Sequence, residues 1–303
     1  MSVISKLIRR VLCRRRLDKD NAASISDVDR LFLNYSALAQ QQGFDRLTIL
    51  LSFDCDTPDD IPAAEQLDTW LRARNIPAAY AVPGAMLQRG SEVYRRIADA
   101  GAEFINHGAL PHTEWRDGRY WSVTFYHEMS PHQVVEDIQR GHEIVKQVIG
   151  KTPIGFRAPH FGNFQKPEQR EVVYTVLREL GYAYSSSTLP ELGFRHGPAL
   201  DVGGLWEFPL SGTIAAPYSV FDSWSYVLSP YQPVVKEEYG DLFIQTLARL
   251  LDLGVCGVLN YYVDPAHVVQ APVFYRALEF LLARGVPAIR FDQVLTGKRV
   301  TGK

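Results

Sequence analysis

Residues 49–60 read ILLSFDCDTPDD, an apolar run that stops on two aspartates separated by one cysteine. A run that is apolar on both faces and polar only at its C-terminal end reads as a strand buried in a helix-covered parallel sheet. Side chains alternate along a strand, so Asp54 and Asp56 share one face, while Phe53 and Cys55 point the other way, into the core. Two carboxylates this close raise one another's pKa unless a cation stands beside them. A plainer use is also open to them, capping the turn or helix that follows.

Outward from this stretch, strand-like runs alternate with segments of helical period. After TILLSFDCD come IPAAYAV (76–82), AEFINH (102–107), PIGFRAP (153–159), YAYSSST (182–188), LWEFPLS (205–211), VCGVLNYYV (255–263) and VPAIRF (286–291). Helical segments are expected at 62–74, 85–99, 131–150, 167–181, within 235–253 and at 272–284, several closed by a glycine: Gly101, Gly150, Gly181, Gly254 and Gly285. Repeated βα units call for a parallel sheet with helices outside. Seven or eight of them, with no GxGxxG turn after the first strand, favour a closed barrel over a doubly wound sheet. Residues 110–130 and 188–234, rich in Pro, Gly, Ser and aromatics, read as long loops, which in such folds carry function.

The bulk properties narrow the classes. A chain of 303 residues, 46% hydrophobic, fills a sizeable core, and a formal net charge of -2 gives no electrostatic case for a nucleic-acid partner. Cys13, Cys55 and Cys256 are widely spaced with no CxxC pair, which fits a reducing compartment, cytoplasm by default. No run approaches the ~20 apolar residues that span a bilayer. The start, MSVISKLIRRVLCRRRLDKD, lacks the apolar middle and cleavage site of a secretory signal. Its Ile4, Leu7, Ile8, Val11 and Leu12 recur at helical spacing among Lys6, Arg9, Arg10 and Arg14 to Arg16, as in a helix lying on the inner, anionic face of a membrane. A helix packed on the domain or a basic tail reads equally from residues 1–16.

Two further strand ends join the aspartates. AEFINHGALPHTEW places His107 and His112 after a strand, with Pro111 barring a regular helix between them. Two imidazoles and one carboxylate make a three-ligand site with room for water, the usual arrangement of catalytic zinc. GFRAPHFGNF supplies Arg157, whose fixed fork suits a buried carboxylate such as Asp54. His160 in the same turn either lines the site or packs against Phe161 and Phe164.

Taken together, SFDCD, the His107 to His112 segment, FRAPHFG, LWEFPLS and LNYYVDPAHV resemble, in order, the five motifs of the polysaccharide deacetylases with NodB homology. The resemblance covers about residues 47–295. It implies an α/β fold, a distorted (β/α) barrel of about seven strands at residues 46–303; residues 1–45, outside the resemblance, are expected to form a helical extension. It implies hydrolysis of an N-acyl (acetyl or formyl) or O-acyl group on a sugar, assisted by a divalent metal, zinc first, with cobalt, manganese or nickel as alternatives. Carried across motif by motif, Asp54 is the base, Asp56, His107 and His112 are the metal ligands, Arg157 braces Asp54, and Trp206 forms an apolar wall. The family's second motif has three residues between its histidines and this chain has four, so His127 is held in reserve as a ligand. Where the family places its acid histidine, this chain reads LNYYVDP, leaving His267 or Asp264 for that role. The expected partner is an acylated sugar or glycan precursor, nucleotide- or lipid-linked, and no nucleic acid. Two other readings stand beside it: a catalytically silent barrel that binds a glycan or partner, and an amidase acting on a small non-sugar amide.

Overall fold

The computed structural model describes residues 25–299, so the basic segment 1–16 lies outside the described residues. In chain order the elements are α1 (Asp27–Gln41), β1 (Leu47–Asp54), α2 (Asp60–Arg72), β2 (Ala79–Val82), α3 (Gly84–Arg89), α4 (Ser91–Asp99) and β3 (Glu103–Asn106). A hairpin, β4 (Thr113–Arg116) and β5 (Arg119–Ser122), precedes α5 (Pro131–Ile149), β6 (Gly155–Phe156), α6 (Pro167–Glu179), β7 (Tyr184–Ser185), α7 (Pro190–His196), β8 (Leu200–Asp201) and β9 (Trp206–Glu207). A second hairpin, β10 (Val227–Ser229) and β11 (Gln232–Val235), leads to α8 (Glu237–Asp252), β12 (Gly257–Val263), α9 (Pro265–Val268), α10 (Pro272–Ala283) and α11 (Phe291–Arg299).

One eight-stranded sheet runs in the order β12-β1-β2-β3-β6-β7-β9-β8. Every pairing in it is parallel except that of the edge strand β8 with β9. This is the expected distorted (β/α) barrel, with seven parallel strands. VPAIRF contributes one bridge, Ile49 to Ala288, in place of a full strand.

The ring closes without a ladder. Between the segment after β9 and β12, the Ser211 N–H donates to the Asn260 carbonyl at 2.9 Å. The Asn260 side-chain amide donates to the carbonyls of Phe208 and Pro209 and to Ser186 Oγ. An asparagine thus does the work of a strand pairing, satisfying backbone groups that Pro209 and the short β9 leave unpaired.

β1 is buried along its whole length, and its two faces have different partners. Phe53 and Cys55 face the outer helices: Phe53 stacks on Tyr80 of β2 and meets Phe274 of α10 edge-on. Leu50 faces inward, in a cluster with Ile105, Tyr184, Phe208, Val258 and Phe291. That cluster fills the barrel interior, each side chain contributing about 1.5–3 kcal/mol by burial. Ser52 and Asp54 follow on the same inner face, so the interior turns from apolar to polar toward the strands' C-terminal ends. α1 covers the other end, where Tyr35 donates its hydroxyl to the Val258 carbonyl at 2.6 Å and Arg249 of α8 grips Asp29 with two hydrogen bonds.

Candidate metal centre

Asp54 ends β1, His107 follows β3 and Arg157 follows β6, so three parallel strands deliver their next polar residue to the same rim. Arg157 is fully buried. Its Nη1 donates to Asp54 Oδ1 at 2.6 Å and to Ser52 Oγ at 2.9 Å. Its Nε and Nη2 donate to the carbonyl and hydroxyl of Ser186 at 3.1 Å each. A buried guanidinium satisfied in this way fixes the carboxylate it holds. Burial pushes Asp54 up to about 6, against the pull of the Arg157 charge.

The Arg157 carbonyl accepts a hydrogen bond from His107 Nδ1 at 2.8 Å. A carbonyl only accepts, so His107 carries its proton on Nδ1 and presents a bare lone pair at Nε2. That nitrogen lies 3.6 Å from both Asp54 Oδ2 and Asp56 Oδ1. Burial holds His107 well below the usual histidine range, hence neutral. His112 donates from Nδ1 to Asp56 Oδ1 at 2.9 Å, and its Nε2 is buried with no hydrogen-bond partner. Burial works against the charge on Asp56, but His112, through its charge and its hydrogen bond, holds the carboxyl below the usual carboxylate range.

Asp56, His107 and His112 present ligand atoms within 4.8 Å of one another, all three residues buried. Lone pairs facing carboxylate oxygens, together with an orphaned imidazole nitrogen, make a donor set that fits a divalent cation with nitrogen and oxygen ligands.

The four-residue spacing between the histidines has its own support. The connecting loop turns at Gly108, at φ 78°, where a Cβ would stand 2.3 Å from Asp137 Oδ2. Asp137, on α5, accepts the N–H groups of Ala109 and Leu110 at Oδ1 (3.0 and 2.9 Å) and the Tyr126 hydroxyl at Oδ2 (2.8 Å). Asn106 accepts the Gly108 N–H and donates to the Ile138 carbonyl and Tyr182 hydroxyl. Asp60 does the same for the other ligand: it accepts from the N–H and hydroxyl of Thr57 and from the N–H of Ala266, tying the Asp56 turn to α9. Sequence reasoning missed Asp137. It sits in a helix of ordinary amphipathic pattern, and its one signal is that it falls on the buried face with Val134, Ile138 and Gly141.

Above the metal-ligand cluster opens a cavity of about 300 Å³. Asp54, Asp56, His107, Thr113, Ser122, His160, Phe161, Trp224 and Tyr262 are among its lining. His160, in left-handed backbone at φ 42°, donates from Nε2 toward the carbonyls of Val123 and His112, pinning the hairpin to the cluster.

Several expected placements differ. Trp206 lies at the start of the two-residue β9 and packs against the interior cluster, and the aromatic wall of the cavity is Trp224. His267 is buried behind that wall, its ring edge-on to Trp224 at 4.5 Å and its Nδ1 bonded to Ser223 Oγ at 2.9 Å. Burial pushes it down to about 3, so it is neutral and outside the cavity lining. Asp264 is buried too, with Oδ2 unpartnered, and burial with the neighbouring carboxylates keeps its carboxyl well above the usual range. His127 stands beside Glu128 and Phe125, apart from the three-residue cluster.

Against known proteins, the polysaccharide deacetylase sequence pattern matches residues 42–185, the segment that contains Asp54, Asp56, His107, His112 and Arg157. Residues 42–185 match the polysaccharide deacetylase family. The resemblance carried by the first three motifs is thereby borne out. No curated protein matches the chain. Among solved structures, a Mycobacterium smegmatis protein described as a polysaccharide deacetylase is similar, with TM-score 0.65 and 20% identity over 84% of this chain and 91% of that one. The Puue allantoinase has TM-score 0.60 and 14% identity over 85% and 91%. The polysaccharide deacetylase Bc1974 from Bacillus cereus has TM-score 0.51 and 15% identity over 81% and 92%. At these identities the likeness is one of fold, and it spans a sugar deacetylase and an allantoinase alike. Trp224, Asp264 and His267 fall beyond the matched segment.

Proposed function

We propose that this protein is a divalent-metal-dependent hydrolase that removes an acetyl, formyl or other small acyl group from a sugar. The observation that carries this reading is the His107 tautomer. With its proton committed to the Arg157 carbonyl, Nε2 faces both aspartates with a bare lone pair at 3.6 Å, an arrangement that a shared cation makes favourable.

Asp56, His107 and His112 would hold the metal, which when bound supplies Lewis-acid polarisation of the acyl carbonyl and a more acidic water. Asp54 has one oxygen anchored by Arg157 and the other free toward the cavity, the disposition of a general base. It takes the proton from the attacking water. It is also the lining carboxylate placed to return that proton to the leaving nitrogen or oxygen, because His267 does not reach the cavity. Phe161, Trp224 and Tyr262 exclude bulk water around the reacting group.

A sugar substrate agrees with the family match and with a cavity that mixes hydroxyl and aromatic side chains. The buried Cys55 thiol agrees with a reducing compartment, and the basic segment 1–16 supports a carrier-linked sugar presented at the inner membrane face. The test is to strip the protein of metal, reload it with zinc, cobalt, manganese or nickel, and measure acetate and formate release from N-acylated sugars. Metal-dependent release is the expected result. Tight metal binding without release from any acylated sugar or small amide overturns the reading in favour of a silent binding barrel.

A further inference from the structure

β12 runs beside β1 to the same rim, and its C-terminal end brings a tyrosine into the cavity. The parallel register sets Leu50 against Asn260 and Ser52 against Tyr262. Residues paired across adjacent strands share a face, and Leu50, Ser52 and Asp54 face the interior, so Asn260 and Tyr262 do as well. Tyr261 faces outward, packs edge-on against Phe243 of α8 and donates its hydroxyl to the Gly212 carbonyl at 3.0 Å. Tyr262 lines the cavity.

The Tyr262 ring is fixed on two sides. The Arg157 guanidinium stands over it, 5.1 Å from the centroid, and Phe161 meets it edge-on at 5.9 Å. The same guanidinium holds Asp54 Oδ1, so one cation fixes the phenol and the proposed base side by side. Burial, and after it the carboxylates of Asp222, Asp54 and Asp264, hold the phenol well above its usual range. It therefore keeps its proton at neutral pH and stands ready as a donor.

The reaction needs such a donor. An amine leaves a tetrahedral carbon only when its nitrogen is protonated, because the bare amide anion is too basic to be expelled. β12 carries no histidine, and His267 is buried behind Trp224. Of the other hydroxyls in the cavity lining, that of Thr113 is spent on the Asp56 carbonyl, and Ser122 stands on the β5 strand of the hairpin.

We infer that the proton taken up by Asp54 reaches the leaving nitrogen through the Tyr262 hydroxyl. Asp54 accepts a proton from the attacking water as the new carbon–oxygen bond forms. The carbon–nitrogen bond then breaks with its electron pair left on nitrogen, which takes the Tyr262 proton, while the Tyr262 oxygen takes the proton from Asp54. Water and amide are consumed, acid and amine are formed, and both side chains end as they began. The inference rests on the deacylase reading and deepens it by adding a second residue to the proton path.

The experiment compares metal-loaded wild type, Tyr262→Phe and Asp54→Asn on two substrates. One is the N-acylated sugar that wild type cleaves fastest; the other is 4-nitrophenyl acetate, whose phenolate leaves without a proton. Tyr262→Phe keeps the ring beneath Arg157 and removes only the hydroxyl. It is expected to lose about 10²-fold in kcat on the sugar amide, with KM and metal affinity in place, and to cleave the ester as wild type does. Asp54→Asn is expected to slow both. Equal slowing of both substrates by Tyr262→Phe would reduce Tyr262 to a wall of the cavity, and no slowing of either would remove it from the reaction. Both results overturn the inference and leave the deacylase reading standing. Absence of metal-dependent release by wild type from every acylated sugar and small amide overturns the deacylase reading and the proton path together.

Discussion

Two aspartates two residues apart have different surroundings, which is the ground for proposing different tasks for them. Asp54 is held by a buried arginine, with its second oxygen toward the cavity, whereas Asp56 is held by His112 and lies within ligand distance of both imidazoles. Asp54→Asn keeps the shape and the histidines, so it is expected to bind metal and to lose about 10²- to 10⁴-fold in turnover, the scale of a general base. Asp56→Ala removes a ligand and is expected to lose both. Calorimetric metal titration beside acyl release separates them, and full activity in either variant would contradict the assignment. The same metal is expected to raise the melting temperature of wild type and of Asp54→Asn, since a ligand that binds only the folded state stabilises it.

At the scale of elements, the candidate ligands are carried by strand ends while their positions are set from behind by helices. Asp137 is the case in point: one carboxylate on α5 accepts two successive N–H groups of the His107–His112 loop and a tyrosine hydroxyl. Asp137→Asn keeps the volume and an acceptor for the N–H pair, but its amide nitrogen can only donate to the Tyr126 oxygen, which strands the proton of that buried hydroxyl. The expected result is metal affinity weaker by about 10- to 100-fold, as for other groups that orient ligands. It should come with a broadened visible spectrum in the cobalt-loaded protein, and an unchanged cobalt spectrum and affinity would make Asp137 structural only. This division explains what the sequence made legible. Asp54, Asp56, His107, His112 and Arg157 follow buried strands whose apolar runs announce where they end. Asp137 hides in a helical repeat, and Trp224 lies in a loop whose course depends on the hairpin it leads into. The layer that Trp206 occupies is hard to read because a two-residue strand gives alternation no length over which to show it. The fold itself was readable because burial of both faces of β1 and glycine-closed helices repeat along the chain. The Asn260 closure was not, being a contact between segments about fifty residues apart with no strand pattern to mark it.

For the whole molecule, the barrel interior separates a polar rim from an apolar base, and one ionisable group spans that base. Glu103, at the start of β3, accepts the Tyr184 hydroxyl from β7 at 2.7 Å, across the intervening β6. Its other carboxylate oxygen is buried without a partner. Burial pushes the Glu103 carboxyl up to about 7 from an ordinary 4.5. The folded protein therefore holds a proton there that the unfolded chain has released between those two values. Stability from this group is full below about 4.5 and falls as pH rises through about 7, by up to roughly 3 kcal/mol. Glu103→Gln keeps an acceptor for Tyr184 and cannot ionise. It is expected to match wild type near pH 5 and to exceed it at pH 8, with the urea midpoints of the two proteins diverging steadily between. Parallel midpoints across that range would mean that Glu103 is charged and solvated in the fold, and that the base of the barrel admits water.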